Sequence, residues 1–283
     1  MELKLDEACC ASIASYLPSD DYGGRLLRKL CGSVEIREYR KNDTFKNGAY
    51  HSFNDEPSRT IYDREQNDII TYHLWYKDGF LHRDNKPAVV KYYFNKKVSR
   101  YAWYINGIKQ RRNHLPTEVH YYDNGSIFLE CWKDNIGFNR GNDKPAEILY
   151  RWDGSIMRLS WFKNYDFHRE DDNPAAIMLS RNGDIESKHW CLNGMMNRTN
   201  DSPAYIEYSK DKIIVMRWFK DDDIHRDNDL PAEIRYNQEG RIIMSYWSRG
   251  GLCHRDNGLP AIITYEGDEV KKQYFVNGVE IKH

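Results

Sequence analysis

Five of the ten histidines, His51, His82, His168, His225 and His254, occupy one recurring position, each followed directly by Arg or Ser. Imidazole beside guanidinium could move protons. A row of such arginines (Arg83, Arg111, Arg140, Arg169, Arg198, Arg226, Arg255) could read phosphates along a ladder. A residue that returns at a fixed interval more naturally repeats one structural job. His, Asn and Gln all bond backbone groups at turns, and Gln110, Asn139 and Asn197 replace the histidine in the other copies. For the arginines, Glu118, Glu147 and Glu233 are the expected counterions and the neighbouring Trp the expected cation–π partner. The acidic groups Asp221-Asp222-Asp223 and Glu170-Asp171-Asp172 carry enough carboxylate for a hard cation, but they match no EF-hand loop and read as solvated turns. Nucleophile elbows, phosphate loops and dinucleotide fingerprints do not occur, and no copy carries an extra acid pair of the kind used in glycoside hydrolysis. Catalytic residues, metal and cofactor are therefore all expected to be none.

The chain has 283 residues, with 42 Lys+Arg against 43 Asp+Glu. Its formal charge of −1 argues against a dedicated nucleic-acid binder and against a polybasic membrane anchor. The mean hydropathy is −0.85, yet 14% of residues are aromatic, a combination that fits neither a membrane protein nor a disordered chain. No apolar run reaches 18 residues, so no transmembrane segment is expected. The first residues lack the basic region of a secretory signal, which favours an intracellular setting. Six cysteines (Cys9, Cys10, Cys31, Cys131, Cys191, Cys253) form no zinc-type spacing and read as packed, reduced thiols.

The rhythm behind the histidines is set by proline and tryptophan. Pro57, Pro87, Pro116, Pro145, Pro174, Pro203, Pro231 and Pro260 follow one another at 28 to 30 residues. Trp75, Trp103, Trp132, Trp161, Trp190, Trp218 and Trp247 keep step, and Phe275 takes the eighth slot. Two residue types locked to one period define a repeat. Its clearest copies, residues 225–236 and 254–265, read H-R-x-N-x-x-P-A-x-I-x-Y. Asn or Asp fills the fourth position throughout (Asn54, Asn85, Asn113, Asn142, Asp171, Asn200, Asn228, Asn257), and the second copy is one residue shorter there.

Each position has a local rationale. Asn ahead of Pro suits a turn, and Pro drives its predecessor into extended backbone. Ala232, Ile234 and Tyr236 then stand at alternate positions, one face of a strand. Turns such as Asp123-Asn124-Gly125, Arg181-Asn182-Gly183 and Gln238-Glu239-Gly240 lead into a second strand, as in residues 241–247, which ends at Asn106-Gly107, Asn193-Gly194 or Asn277-Gly278. A lone hairpin is marginal, so neighbouring units must stack. The expected fold is all-β: an elongated, twisted array of about eight β-hairpin units over residues 34–283, spanning roughly 75 Å. Residues 1–33 carry no repeat, and Leu5, Cys9, Ile13, Tyr16 and Leu17 fit helical spacing before Pro18, so a short α-helical N-terminal cap is expected.

The H-R-x-N-x-x-P-A unit with its hairpin resembles the MORN-type repeats, in the longer variant found in giant DNA viruses of amoebae. The likeness covers residues from about 40 to 283. It differs from that family in its 29-residue length and low glycine content, with 18 glycines in all. The resemblance implies a repeat scaffold for protein or membrane association in a viral protein, located in the virion or the infected host cell. It carries over no catalytic residues. The run LDEACCASIASYLPSDDY resembles a shortened F-box, although Asp6 stands where a Pro is usual and Tyr22 where a Leu is usual. That likeness implies docking of residues 1–33 to a Skp-like adaptor.

A single-layer sheet cannot bury both faces, and the copies between residues 90 and 152 are richest in surplus aromatics. Tyr93, Tyr122 and Trp152 are the expected partner surface. The leading functional expectation is a non-enzymatic scaffold for a protein partner of unknown identity, with no nucleic acid bound. The alternatives are a substrate adaptor of a ubiquitin ligase and a carbohydrate- or lipid-binding surface. The edge strand left at the C-terminal end offers pairing to a second copy.

Overall fold

The computed structural model describes residues 38–41, 43–63 and 68–282. The expected helical cap and F-box-like segment lie outside the described residues. Within them the chain is all-β, and its only helical turn is a three-residue 3-10 segment at Arg112–His114. Seventeen strands form one antiparallel sheet. It begins with Glu38–Lys41, which pairs with Arg59–Asp63, and runs on as a meander. Eight hairpins follow in chain order: Arg59–Asp63 with Ile69–Leu74, Val89–Tyr92 with Val98–Ala102, Glu118–Tyr121 with Ile127–Cys131, Glu147–Tyr150 with Ile156–Ser160, Ala176–Leu179 with Ile185–His189, Tyr205–Ser209 with Lys212–Arg217, Glu233–Tyr236 with Ile242–Tyr246, and Ile262–Glu266 with Glu269–Val276. Each hairpin's second strand pairs with the next one's first, as Ser160 does with Ala176.

The two rims of this sheet are unlike. On one, tight turns close the hairpins: Gly125 N–H donates to the Tyr122 carbonyl and Tyr122 N–H to that of Ser126, with Gly125 at φ 90°. A type I turn followed by a left-handed residue gives a register shift, and the first seven hairpins carry one within the last three residues of their first strand, as between Leu149 and Tyr150.

The other rim carries longer connections, each running from the Trp to the residue after the Pro. The sequence pattern anticipates two strands per unit, and the structure has four in all but the connection after Trp132, where a single bridge from Lys133 to Phe138 closes the turn. Between Trp and His the chain folds into a miniature hairpin, such as Phe162–Lys163 with Asp166–Phe167 or Cys191–Leu192 with Met195–Met196. Asn-Gly turns such as Asn193 (φ 51°) and Gly194 (φ 87°) have the two left-handed residues that a type I′ turn requires. Two-residue strands are too short to show alternation, which is why periodicity misses them.

Packing is local to each unit. The seven repeat tryptophans are at most 9% exposed, and the alanines after the prolines (Ala88, Ala175, Ala204, Ala232, Ala261) are fully buried. Each Trp N–H also donates to the carbonyl of the residue after Pro in its own connection, as Trp190 does to Ala204 at 2.7 Å. On one face Trp75 packs with Ala88 and Val90; on the other, Ile61, Leu74, Val89 and Ala102 meet side chains of the miniature hairpins. Both faces of the sheet are thus covered near the long rim by the unit's own residues.

Successive miniature hairpins also touch. Phe138 stacks on Phe162 at 4.1 Å, and the fit there depends on Gly137, where a Cβ would sit 2.3 Å from the Asn164 carbonyl oxygen. Gly137 also adopts φ 153°. Gly137→Ala should therefore cost about 1–3 kcal/mol, read as a lower urea midpoint. An unchanged midpoint would show that the fourth and fifth miniature hairpins need not lie this close.

Candidate functional site

The long rim gathers the repeat's His, Arg, Asn and Pro positions. After the Arg the chain makes a turn with two consecutive left-handed residues, for example Asn228 (φ 62°) and Asp229 (φ 54°) or Asp171 (φ 59°) and Asp172 (φ 54°). Leu230 N–H returns to the Asp227 carbonyl and Asn173 N–H to that of Glu170. Asn and Asp are the non-glycine residues that tolerate this geometry best, so the fourth position is set by backbone conformation.

The second left-handed residue decides what the rim can do. Asp55, Asp143, Asp172, Asp201 and Asp229 each accept the Nε and Nη2 of the Arg one connection further on (Arg83, Arg169, Arg198, Arg226, Arg255) at 2.6–3.0 Å. The main-chain carbonyl of the same Asp accepts the indole N–H of that next connection's Trp at 2.9–3.0 Å. Each Arg meanwhile lies flat on that Trp, 3.7–3.9 Å from the ring centroid. One aspartate therefore staples two neighbouring units through both its side chain and its backbone. The arginine is fixed by a bidentate fork and by cation–π stacking together.

Glu118, Glu147 and Glu233 are not the counterions. They bond other bases, Glu118 with Lys109 of a miniature hairpin and with His120, Glu147 with Arg158, Glu233 with Arg217 and Arg235. The aspartates that do serve sit in the preceding repeat, 25 to 28 residues from their Arg. A search within one motif cannot see them. With five of the forks filled, the rim is no continuous phosphate ladder.

The histidines hold backbone. Nδ1 of His51, His82, His225 and His254 accepts the N–H of Asp78, Asn106, Gly250 and Asn277 in the next miniature hairpin. His168 faces Glu170 through Nε2 at 3.1 Å, and Asn197 bonds Asp221. Asp222 receives the Met196 N–H and Glu170 also pairs with Lys163, so both acidic groups are engaged in the turns. Among the described residues, no three His, Cys, Asp or Glu converge as metal ligands. Burial pushes the Cys131 thiol up to about 12 and the Cys191 thiol up to about 11, so neither is a thiolate at neutral pH.

Tyr93, Tyr122 and Trp152 lie on the short-turn rim, and the structure gives them different duties. The Tyr93 hydroxyl donates to the Tyr121 carbonyl at 2.6 Å and the Tyr122 hydroxyl to that of Tyr150 at 2.9 Å, one unit along. Arg151 does the same to Leu179. These three form a clamp between units, while Trp152 and Phe94 stay about 60% exposed. No protein-family model matches the chain, and no curated protein matches it.

The arginine forks hold the carboxyls of Asp55, Asp143, Asp172 and Asp201 below the usual carboxylate range. A depressed pKa in the folded state means stability that is present above the unfolded value of about 3.9 and lost as pH falls through the folded one. Unfolding midpoints should thus fall below about pH 4, with the carboxyl of Asp172 titrating below 3.9 by NMR. These pairs are half exposed, so Asp172→Asn should cost only about 0.5–1 kcal/mol at pH 7. A larger loss on Arg198→Lys, about 1–2 kcal/mol, is expected because stacking and fork are lost together.

Proposed function

We propose that the chain is a non-enzymatic repeat scaffold that binds protein along its long rim. The observation that carries this reading is a row of exposed apolar side chains on the miniature hairpins, interrupted at the seventh, whose tip is Asp221-Asp222-Asp223. Phe45, Phe80, Ile108, Ile136, Tyr165, Met195, Leu252 and Val279 are each between 41% and 71% exposed. Neighbouring connections are two strands apart, so these side chains recur about every 10 Å along one edge. Scattered apolar residues need no explanation, but an exposed row that runs over the first six connections of a rigid array is the usual mark of an interaction surface.

The polar groups behind the row support the same reading. Arg, Asp, Trp and His are mostly consumed in holding one connection to the next, which leaves the tips as the variable part of the rim. The two depressions between connections, of about 310 and 150 Å³, are lined by those same ion pairs. The likeness of the unit to MORN-type repeats also favours a scaffold. Among the described residues no helix is long and apolar enough to cross a membrane.

Replacing Phe80, Ile136 and Tyr165 together by Ser tests the proposal. Because these side chains are exposed, the thermal midpoint should stay within a few degrees of the parent. Proteins cross-linked to the parent chain in a lysate, identified by mass spectrometry, should be lost from the variant. Capture that persists unchanged in the folded variant would refute binding through the tips.

A further inference from the structure

Two of the seven arginines on the rim have no carboxylate. Arg111 and Arg140 keep the posture of the others: each stacks on its Trp, at 3.7 and 3.5 Å, and each donates Nη1 to a proline carbonyl, Pro116 or Pro145. Among the described residues their Nε and Nη2 make no hydrogen bond, and neither residue forms an ion pair. The reason is in the preceding connections. Where the other copies have Asp, these have Lys86 and His114. Lys86 points its ammonium at Asp55, 2.6 Å away, and His114 uses only its carbonyl, which accepts the Trp132 indole N–H at 2.8 Å.

A second, independent observation falls at the same place. The indole N–H of Trp103 is buried with no partner, and Trp103 itself is 8% exposed. Every other repeat Trp donates to the carbonyl of the second left-handed residue in the preceding turn. The turn before Trp103 is the copy that is one residue short, with only Asn85 left-handed, so that acceptor is missing. An unsatisfied buried donor costs about 1–3 kcal/mol and is rare enough to need a reason. Burial also lowers the pKa of both Arg111 and Arg140, against the opposing fields of Glu130, Tyr121 and Tyr150. Glu130 is the one acid facing both from the sheet; it accepts the Tyr150 hydroxyl at 2.7 Å and pairs with neither guanidinium.

Resting on the scaffold reading above, we propose that Arg111 and Arg140 form a two-pronged receptor for acidic side chains of a partner protein, the carboxylates taking the places that Asp holds in the other connections. The filled copies show the shape of the missing group: a carboxylate on the fork and, from the same residue, a main-chain carbonyl on the indole N–H. A peptide Asp or Glu presents both, whereas a phosphate ion presents no such carbonyl. The two forks are about 10 Å apart, two strand spacings. In a polyproline II segment, residues i and i+3 lie on one face about 9 Å apart, so acid-x-x-acid is the matching pattern. The recognised partner is therefore an extended acidic segment.

The test uses the full chain and a labelled peptide, acetyl-Gly-Asp-Pro-Pro-Asp-Gly-amide. Beside it stand the Asn-for-Asp version, the phosphoserine-for-Asp version and inorganic phosphate. The Trp103 indole resonance, assigned with Trp103→Phe, should shift saturably with the Asp peptide, and the Asn peptide should bind at least about tenfold more weakly. His114→Asp supplies the missing carboxylate from within. It should weaken binding at least about tenfold without lowering the unfolding midpoint, which separates occupancy of the slot from misfolding. Arg111→Gln with Arg140→Gln should abolish binding.

Unchanged binding in the folded His114→Asp chain, or a silent Trp103 resonance, would overturn the proposal. So would tighter binding of phosphoserine or phosphate than of Asp, which would give the slot to a different ligand. If the peptide fails while the hairpin-tip variant still loses its captured proteins, the receptor falls and the scaffold reading stands. If the tip variant keeps them too, both fall.

Discussion

An aspartate in five of the eight turns that precede the repeat prolines holds this molecule together lengthwise. A β-hairpin in water has little to gain from its own few contacts, and a meander of hairpins without a second layer has nothing to stop it from flexing at every joint. Where it is present, the Asp carboxylate on the next Arg and the Asp carbonyl on the next Trp fix the joint at two points. The geometry of that residue is itself constrained. It is the second of two left-handed positions, a conformation that excludes β-branched side chains and favours Asp, Asn and Gly. Turn conformation and interunit pairing are thus selected by the same side chain.

Much of the sheet was legible in the sequence because proline and tryptophan are rare and their positions are strict. Pro174 and Trp161 mark the end and the start of one connection, and the post-proline alternation of Ala232, Ile234 and Tyr236 defines a strand that the structure shows as Glu233–Tyr236. The Asp123-Asn124-Gly125 turn lies where its residues place it, because Gly125 must adopt positive φ. Less legible were the miniature hairpins, whose two-residue strands show no period, and the staple. Asp172 is one of several acids in a polar turn, and its partner Arg198 lies a repeat away. Pattern reading within one copy favours Glu147 and Glu233, which have the right charge and lie close in sequence. The structure sends both to other bases.

Tyr93 and Tyr122 show a related limit. A surplus tyrosine in a polar sequence suggests an exposed ring, but the hydroxyl can reach a neighbouring carbonyl and turn the residue into a brace. Sequence type does not tell these outcomes apart, since both want a half-buried aromatic. Trp152, whose indole nitrogen bonds no neighbour in that clamp, is the member of the trio left facing solvent. Lys86 and His114 acquire meaning only against the other copies: neither is unusual alone, and each marks a vacancy because five equivalents are Asp.

Because every staple joins only adjacent connections, the array behaves as a ruler with discrete graduations. Removing or duplicating one whole period among the Asp-bearing connections keeps Asp and Arg in phase at the joints that remain, and changes the span by about 10 Å. A change of any other size breaks the phase between an Asp and the Arg that follows it. Length in such a molecule is therefore quantised, and the distance between two surfaces on the rim is an integer property of the sequence.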